Sequence, residues 1–83
     1  MPYYMDIHRG VAGLTPEAVA AAHARDVEVQ AKHGVQYLKY WYDADSGTVF
    51  CLSEAPSREA AEAVHKESHG LVAQEIFEVK EGH

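Results

Sequence analysis

Two histidines one helical turn apart, His65 and His69, with Glu62 three residues before the first, are the side chains of this chain best placed for chemistry. Residues three and four apart on a helix are surface neighbours. Two imidazoles and a carboxylate so spaced form a preformed chelate for a borderline divalent cation. A second group is His23 with Asp26, three apart, and His33 lies further along the same polar stripe. A third is Asp6 with His8, two apart. Imidazole with carboxylate suits nickel, copper or zinc, and geometry rather than raw affinity selects among them. Such binding needs neutral imidazole, so it should weaken below about pH 6. Each group has an ordinary alternative. Histidines at i, i+4 on an exposed helix arise by chance, and His23 with Asp26 is also an i, i+3 surface ion pair worth a few tenths of a kcal/mol.

Other chemistries find less support. Cys51 stands alone, and a mid-strand cysteine usually behaves as a small buried hydrophobe. As a nucleophile it would want a base nearby, for which His65 is the candidate. Asp43-Ala44-Asp45-Ser46-Gly47 resembles the start of a calcium loop, but the closing glutamate of an EF-hand is missing. No Gly-rich phosphate loop, paired CxxC or serine elbow is present.

The composition narrows the class further. Eighty-three residues suit one domain, residues 1–83, too small to be robust without a partner subunit. A formal net charge of -6 argues against nucleic-acid binding, which needs a basic face. No apolar run approaches the roughly 20 residues of a membrane span. The opening Met-Pro-Tyr-Tyr-Met-Asp lacks the basic start and long apolar run that export requires, and a lone cysteine makes no internal disulfide. The expected location is the cytoplasm. Six histidines are several-fold more than an average chain of this length carries.

The elements that must position these groups can be read in order. Pro2 to Arg9 alternates as a strand, with Tyr3, Met5 and Ile7 on one face and Tyr4, Asp6 and His8 on the other. Thr15-Pro16-Glu17 opens a helix with an N-cap, a proline at the first position and an early acid. That helix should run from Glu17 to His33 and end at Gly34. Its most apolar stripe, Ala20, Ala24, Val27 and Ala31, should face the sheet. Val35 to Tyr42 reads as a strand covered on both sides, with Val35, Tyr37 and Trp41 on one face and Leu38, Tyr40 and Tyr42 on the other. A turn at Asp43–Gly47 joins it to a strand from Thr48 to Ser53. Ser57 caps a second helix that buries Ala60, Ala61, Val64 and Ser68 and stops at Gly70. Leu71 to Lys80 gives the last strand, with Ile76 and Phe77 on opposite faces, and a polar tail follows.

The order strand, helix, strand, strand, helix, strand is the α+β ferredoxin-like βαββαβ arrangement, a four-stranded antiparallel sheet with two helices on one face. A weak internal echo, His33-Gly34-Val35 and His69-Gly70-Leu71, supports two half-repeats. The other sheet face is left open, and the aromatic strand suggests that a second subunit covers it in a homodimer.

Three runs carry a resemblance: Tyr40-Trp41-Tyr42-Asp43; Gly47 to Pro56; and Val64-His65-Lys66-Glu67-Ser68-His69-Gly70-Leu71. With Ala22 to Asp26 and Val29-Gln30, they resemble a small actinobacterial family long described as a domain of unknown function and including nickel-binding proteins. The resemblance spans nearly the whole chain. It implies a dimeric ferredoxin-like fold and surface-bound nickel, with a role in nickel sequestration or tolerance. Residue spacing, not the resemblance, sets the expected ligands: His65, His69 and Glu62, then His23 with Asp26, then His8. The leading expectation is a metal-binding homodimer without catalysis, its sites shallow and partly water-filled, with Ni2+ first and Zn2+ or Cu2+ as competitors. The competing one is a small dimeric enzyme whose aromatic-lined pocket involves Trp41, Cys51 and His65, with Tyr40 and Tyr42 beside them.

Overall fold

Thr15 and Ser57 each sit in extended backbone and accept a hydrogen bond from an N–H three residues on, and each starts a helix. The structure, a computed structural model, describes residues 1–70 and 72–82. The elements are β1 (Tyr3–His8), α1 (Pro16–Val29), a 3-10 turn (Gln30–His33), β2 (Gln36–Asp43), β3 (Thr48–Glu54), α2 (Arg58–Ser68) and β4 (Glu75–Val79). The strands form one sheet in the order β2-β3-β1-β4, with every neighbouring pair antiparallel. This is the expected ferredoxin-like fold. The first helix gives way to the 3-10 turn at Gln30 rather than running on to His33. Gly34 ends that turn in the left-handed conformation, φ 70°. The last strand begins at Glu75, and its expected start at Leu71 lies outside the described residues.

The core differs from expectation in one consistent way: its centre is polar. On β1 the inward residues are Tyr4, Asp6 and His8, all buried, whereas Met5 and Ile7 are only half-buried on the open face. The expected stripe Ala20, Ala24, Val27 and Ala31 is exposed, and the buried residues of α1 are Val19 and Asp26. The reason is complementarity. A sheet face carrying Asp6 and His8 needs hydrogen-bonding partners, and Asp26 brings them while an alanine stripe cannot. On α2, Ala61, Val64 and Ser68 are buried and Ala60 is half-buried, as expected, but His65 is buried with them.

A second correction concerns β2. The register against β3 shifts between Tyr37 and Lys39, so Tyr37 pairs with Ser53 and Tyr40 with Cys51. The bulge leaves Leu38 unpaired and reverses the alternation. Tyr37 and Tyr40 therefore both face the helices, and Trp41, opposite Phe50, lies on the other face. Gln30 Oε1 accepts from the Tyr37 N–H at 2.9 Å and ties this bulge to the end of α1. Ile76 is buried and Phe77 is half exposed, as the last strand's alternation requires.

Candidate metal centre

Strand β1, helix α1 and helix α2 each send charged or imidazole groups into the polar core, and these meet in one continuous chain. His65 is 1% exposed and stands at its middle. Its Nδ1 lies 3.0 Å from Asp26 Oδ1 and its Nε2 lies 3.0 Å from Asp6 Oδ2. Carboxylates only accept, so both ring nitrogens carry protons and the ring is an imidazolium. Burial alone would lower its pKa, but the hydrogen bonds to Asp26, Asp6 and Cys51 outweigh burial and push it up to about 12.

Each carboxylate serves two further donors. Asp6 Oδ1 accepts from His8 Nε2 at 3.1 Å, and the Tyr37 hydroxyl lies 3.0 Å from Asp6 Oδ2 and 3.1 Å from the Ala61 carbonyl oxygen. Asp26 Oδ1 accepts from Ser68 Oγ at 2.6 Å, and His69 Nε2 lies 3.3 Å away. Burial would raise both carboxyls, but the donors win: His65 and His8 hold Asp6 low, and His65, His69 and Ser68 hold Asp26 low. The result is a relay of five side chains, His8–Asp6–His65–Asp26–His69, in which the His8 ring meets the His65 ring edge-on and the His69 ring lies tilted against it. The His65 ring centroid is 4.8 Å from that of His8 and 5.0 Å from that of His69. Tyr37 is pushed far above its ordinary value, first by burial and then by the Asp6 charge, and it stays a phenol.

Two sets of possible ligand atoms share His65. Asp6, His8, Cys51 and His65 form one, and Asp26, His65 and His69 form the other, with the atoms of each set within 4.8 Å of one another. Of the residues expected from spacing, the structure thus brings together His65, His69, Asp26 and His8. Glu62 is half-buried on α2 and belongs to neither set, and the same holds for His23. His23 instead packs on Tyr40, ring centroids 4.8 Å apart. His33 meets Glu67 on the surface at 3.2 Å beside Lys32. His65 does not lie on an exposed flank of α2 but is buried beneath it.

Asp6 and Cys51 complete the first set. Asp6 is two residues from His8 on the same strand face, which spacing could show, but its path to His65 requires the register of the sheet. Cys51 sits opposite Asp6 on β3. Burial, more than its neighbours, lifts its thiol to about 11, so it stays protonated near neutral pH and is poorly suited to nucleophilic attack.

His8, His65, Asp26 and His69 of this chain line a cavity of about 190 Å³. Val11, Leu14, Val19, Ala22 and Val49 supply apolar lining, His8, Asp26, Cys51, His65 and His69 the polar part, and His23 and Tyr40 lie alongside. Trp41, 48% exposed, and Tyr42 take no part in it. The loop carrying Val11 and Leu14 is fixed by Gly47, whose carbonyl oxygen accepts from the Val11 N–H at 2.9 Å. A Cβ at Gly47 would lie 3.0 Å from the Val11 oxygen, and its φ of 70° is itself a glycine conformation.

Among the described residues no helix is long and apolar enough to cross a membrane. No curated protein matches the chain. A solved structure does: that of SCO4226 from Streptomyces coelicolor A3(2), 41% identical, superposes with a TM-score of 0.91 over 98% of this chain and 99% of its own. The family model described as nickel responsive protein SCO4226-like matches residues 4–79. The chain therefore belongs to the SCO4226-like nickel responsive protein family.

Proposed function

We propose that this chain binds a divalent transition metal, nickel first, at the internal centre formed by His8, Asp6, Cys51, His65, Asp26 and His69, and that it serves in metal sequestration or tolerance. The observation that carries the reading is that a set of four and a set of three ligand groups share one buried residue, His65. The donor chemistry fits. Imidazole, carboxylate and one thiol suit nickel, zinc or copper. The charge fits as well: two carboxylates around one imidazolium leave a net negative core, and a dication that displaces the His65 proton would neutralise it. The family's description as nickel responsive supports nickel as the metal to test first. Glu62 and His23, outside both sets, are assigned no coordination. We also infer a homodimer, supported by the open sheet face, where Tyr3, Trp41 and Phe77 are 40–50% exposed.

The test is nickel titration calorimetry on tag-free wild-type protein and on the His8→Ala, His69→Ala and Asp26→Asn variants, with zinc in parallel. Each variant is checked first for wild-type circular dichroism. Stoichiometric binding that weakens at least about tenfold in folded His69→Ala or His8→Ala supports the centre. Binding unchanged in all three folded variants would move the metal elsewhere on the protein.

A further inference from the structure

The cavity has more apolar wall than a metal centre requires. Val11 and Leu14 come from the loop after β1, Val19 and Ala22 from α1, and Val49 from β3, so three separate elements line it. Its volume, about 190 Å³, is of the order of an apolar cavity that takes up benzene, roughly 150 Å³. An apolar pocket ending on a few convergent polar groups is the usual form of a small-molecule site.

We propose that this cavity binds a small, uncharged organic molecule of about one ring bearing a single hydroxyl, with the ring against Leu14, Val19 and Val49 and the hydroxyl at the histidine end. The proposal goes beyond metal binding and does not depend on it. Charge selects the class. An anion would enter beside the Asp26 carboxylate, which lines the cavity, with Asp6 behind it on the far side of His65. An organic cation would find those carboxylates already engaged. Asp6 is within hydrogen-bond distance of His8, His65 and Tyr37, and Asp26 has His65, Ser68 and His69 around it. A hydroxyl both donates and accepts, so it can pair with an imidazole of either tautomer. A volume of about 190 Å³ matches a ligand of about one ring.

The experiment is a titration of chelator-treated, isotope-labelled full chain with phenol, benzoate and benzylamine, followed by amide shifts. Phenol is expected to saturate at one site, shifting the amides of Val11, Ala22 and Val49. Benzoate and benzylamine should bind at least about tenfold more weakly. Ala22→Phe, which fills the cavity, should abolish phenol binding. Ala18→Phe does the same from an exposed position on the lining, should Ala22→Phe fail to fold. No saturable phenol shift, shifts confined to the open sheet face, or benzoate bound as tightly as phenol would each overturn the proposal. So would folded Ala22→Phe and Ala18→Phe proteins that keep wild-type phenol affinity. Nickel titration of the same variants separates the two readings. Phenol lost with nickel retained supports both sites. Phenol bound by a wild-type protein that takes no nickel supports this site and ends the metal reading alone.

Discussion

His65 Nε2 on α2 lies 3.0 Å from Asp6 Oδ2 on β1, and this contact carries helix two into the charged centre of the sheet. Its partner contact, Nδ1 to Asp26 at 3.0 Å, fastens α1 to the same ring. One imidazolium thus joins three elements that are far apart in sequence. Removing it leaves two ionised carboxylates buried without their shared cation, the situation in which breaking a buried ion pair is most damaging. His65→Ala is expected to lower unfolding free energy by about 3–5 kcal/mol, or to prevent folding at 37 °C. His69→Ala, whose side chain is 14% exposed at the end of the relay, should cost much less. Urea denaturation of both variants checks the order. A His65→Ala protein within about 1 kcal/mol of wild type would mean that the relay contributes little to the fold.

Stability should depend on pH in a way set by this relay. His65 has an ordinary value of 6.5 and rises to about 12 in the folded chain. A raised folded value gives stability that is complete below about 6.5 and is lost as pH climbs toward about 12. Asp6 and Asp26 are held below their ordinary 3.8, so their contribution is complete above that and lost as pH falls. Thermal melts from pH 3 to pH 10 should therefore peak on the mildly acidic side of neutrality, between about pH 4 and pH 6.5, and fall on both sides. A melting temperature that keeps rising from pH 6 to pH 9 would show that His65 is buried in its neutral form.

Much of this could be read from the sequence, and the part that could not has two physical causes. Capping residues and strand alternation gave the element order, with Thr15, Ser57 and Gly34 each marking the boundary they occupy. The ligand types of His65, His69, Asp26 and His8 were visible from spacing alone. Their depth was not. Hydrophobic periodicity assumes an apolar interior, so it turned α1 toward Ala20 and Val27 when the buried positions are Val19 and the charged Asp26. It likewise set His65 on a flank. The bulge after Tyr37 was equally hidden, because nothing in Tyr37-Leu38-Lys39 marks an extra residue, and its hydrogen bond to Gln30 is a tertiary feature.

Metal uptake should release protons. Coordination by His65 requires loss of at least one ring proton now shared with Asp6 or Asp26, and coordination by Cys51 requires loss of its thiol proton. Nickel titrations in two buffers of different ionisation enthalpy should give different apparent heats, corresponding to about one or more protons released per metal. Affinity should rise with pH across the neutral range. Equal heats in both buffers would place nickel on imidazoles already neutral, away from His65.

The open sheet face makes the last prediction. Trp41 lies opposite Phe50 on β2 and β3, and Tyr3 pairs with Val79 across β1 and β4 on the same side. Phe77 on that face is 50% exposed. So much aromatic surface on so small a chain is best covered by a second copy laid against it, sheet to sheet. Sedimentation of wild-type protein at micromolar concentration is expected to give a dimer. Trp41→Glu and Phe77→Glu should shift it toward monomer, because each places a charge at the centre of an apolar contact. Neither residue touches the relay, so the pH profile of stability should keep its shape while the concentration dependence of melting disappears. A wild-type chain that sediments as a monomer, or a Trp41→Glu variant that remains fully dimeric, would show that this face is not where two copies meet.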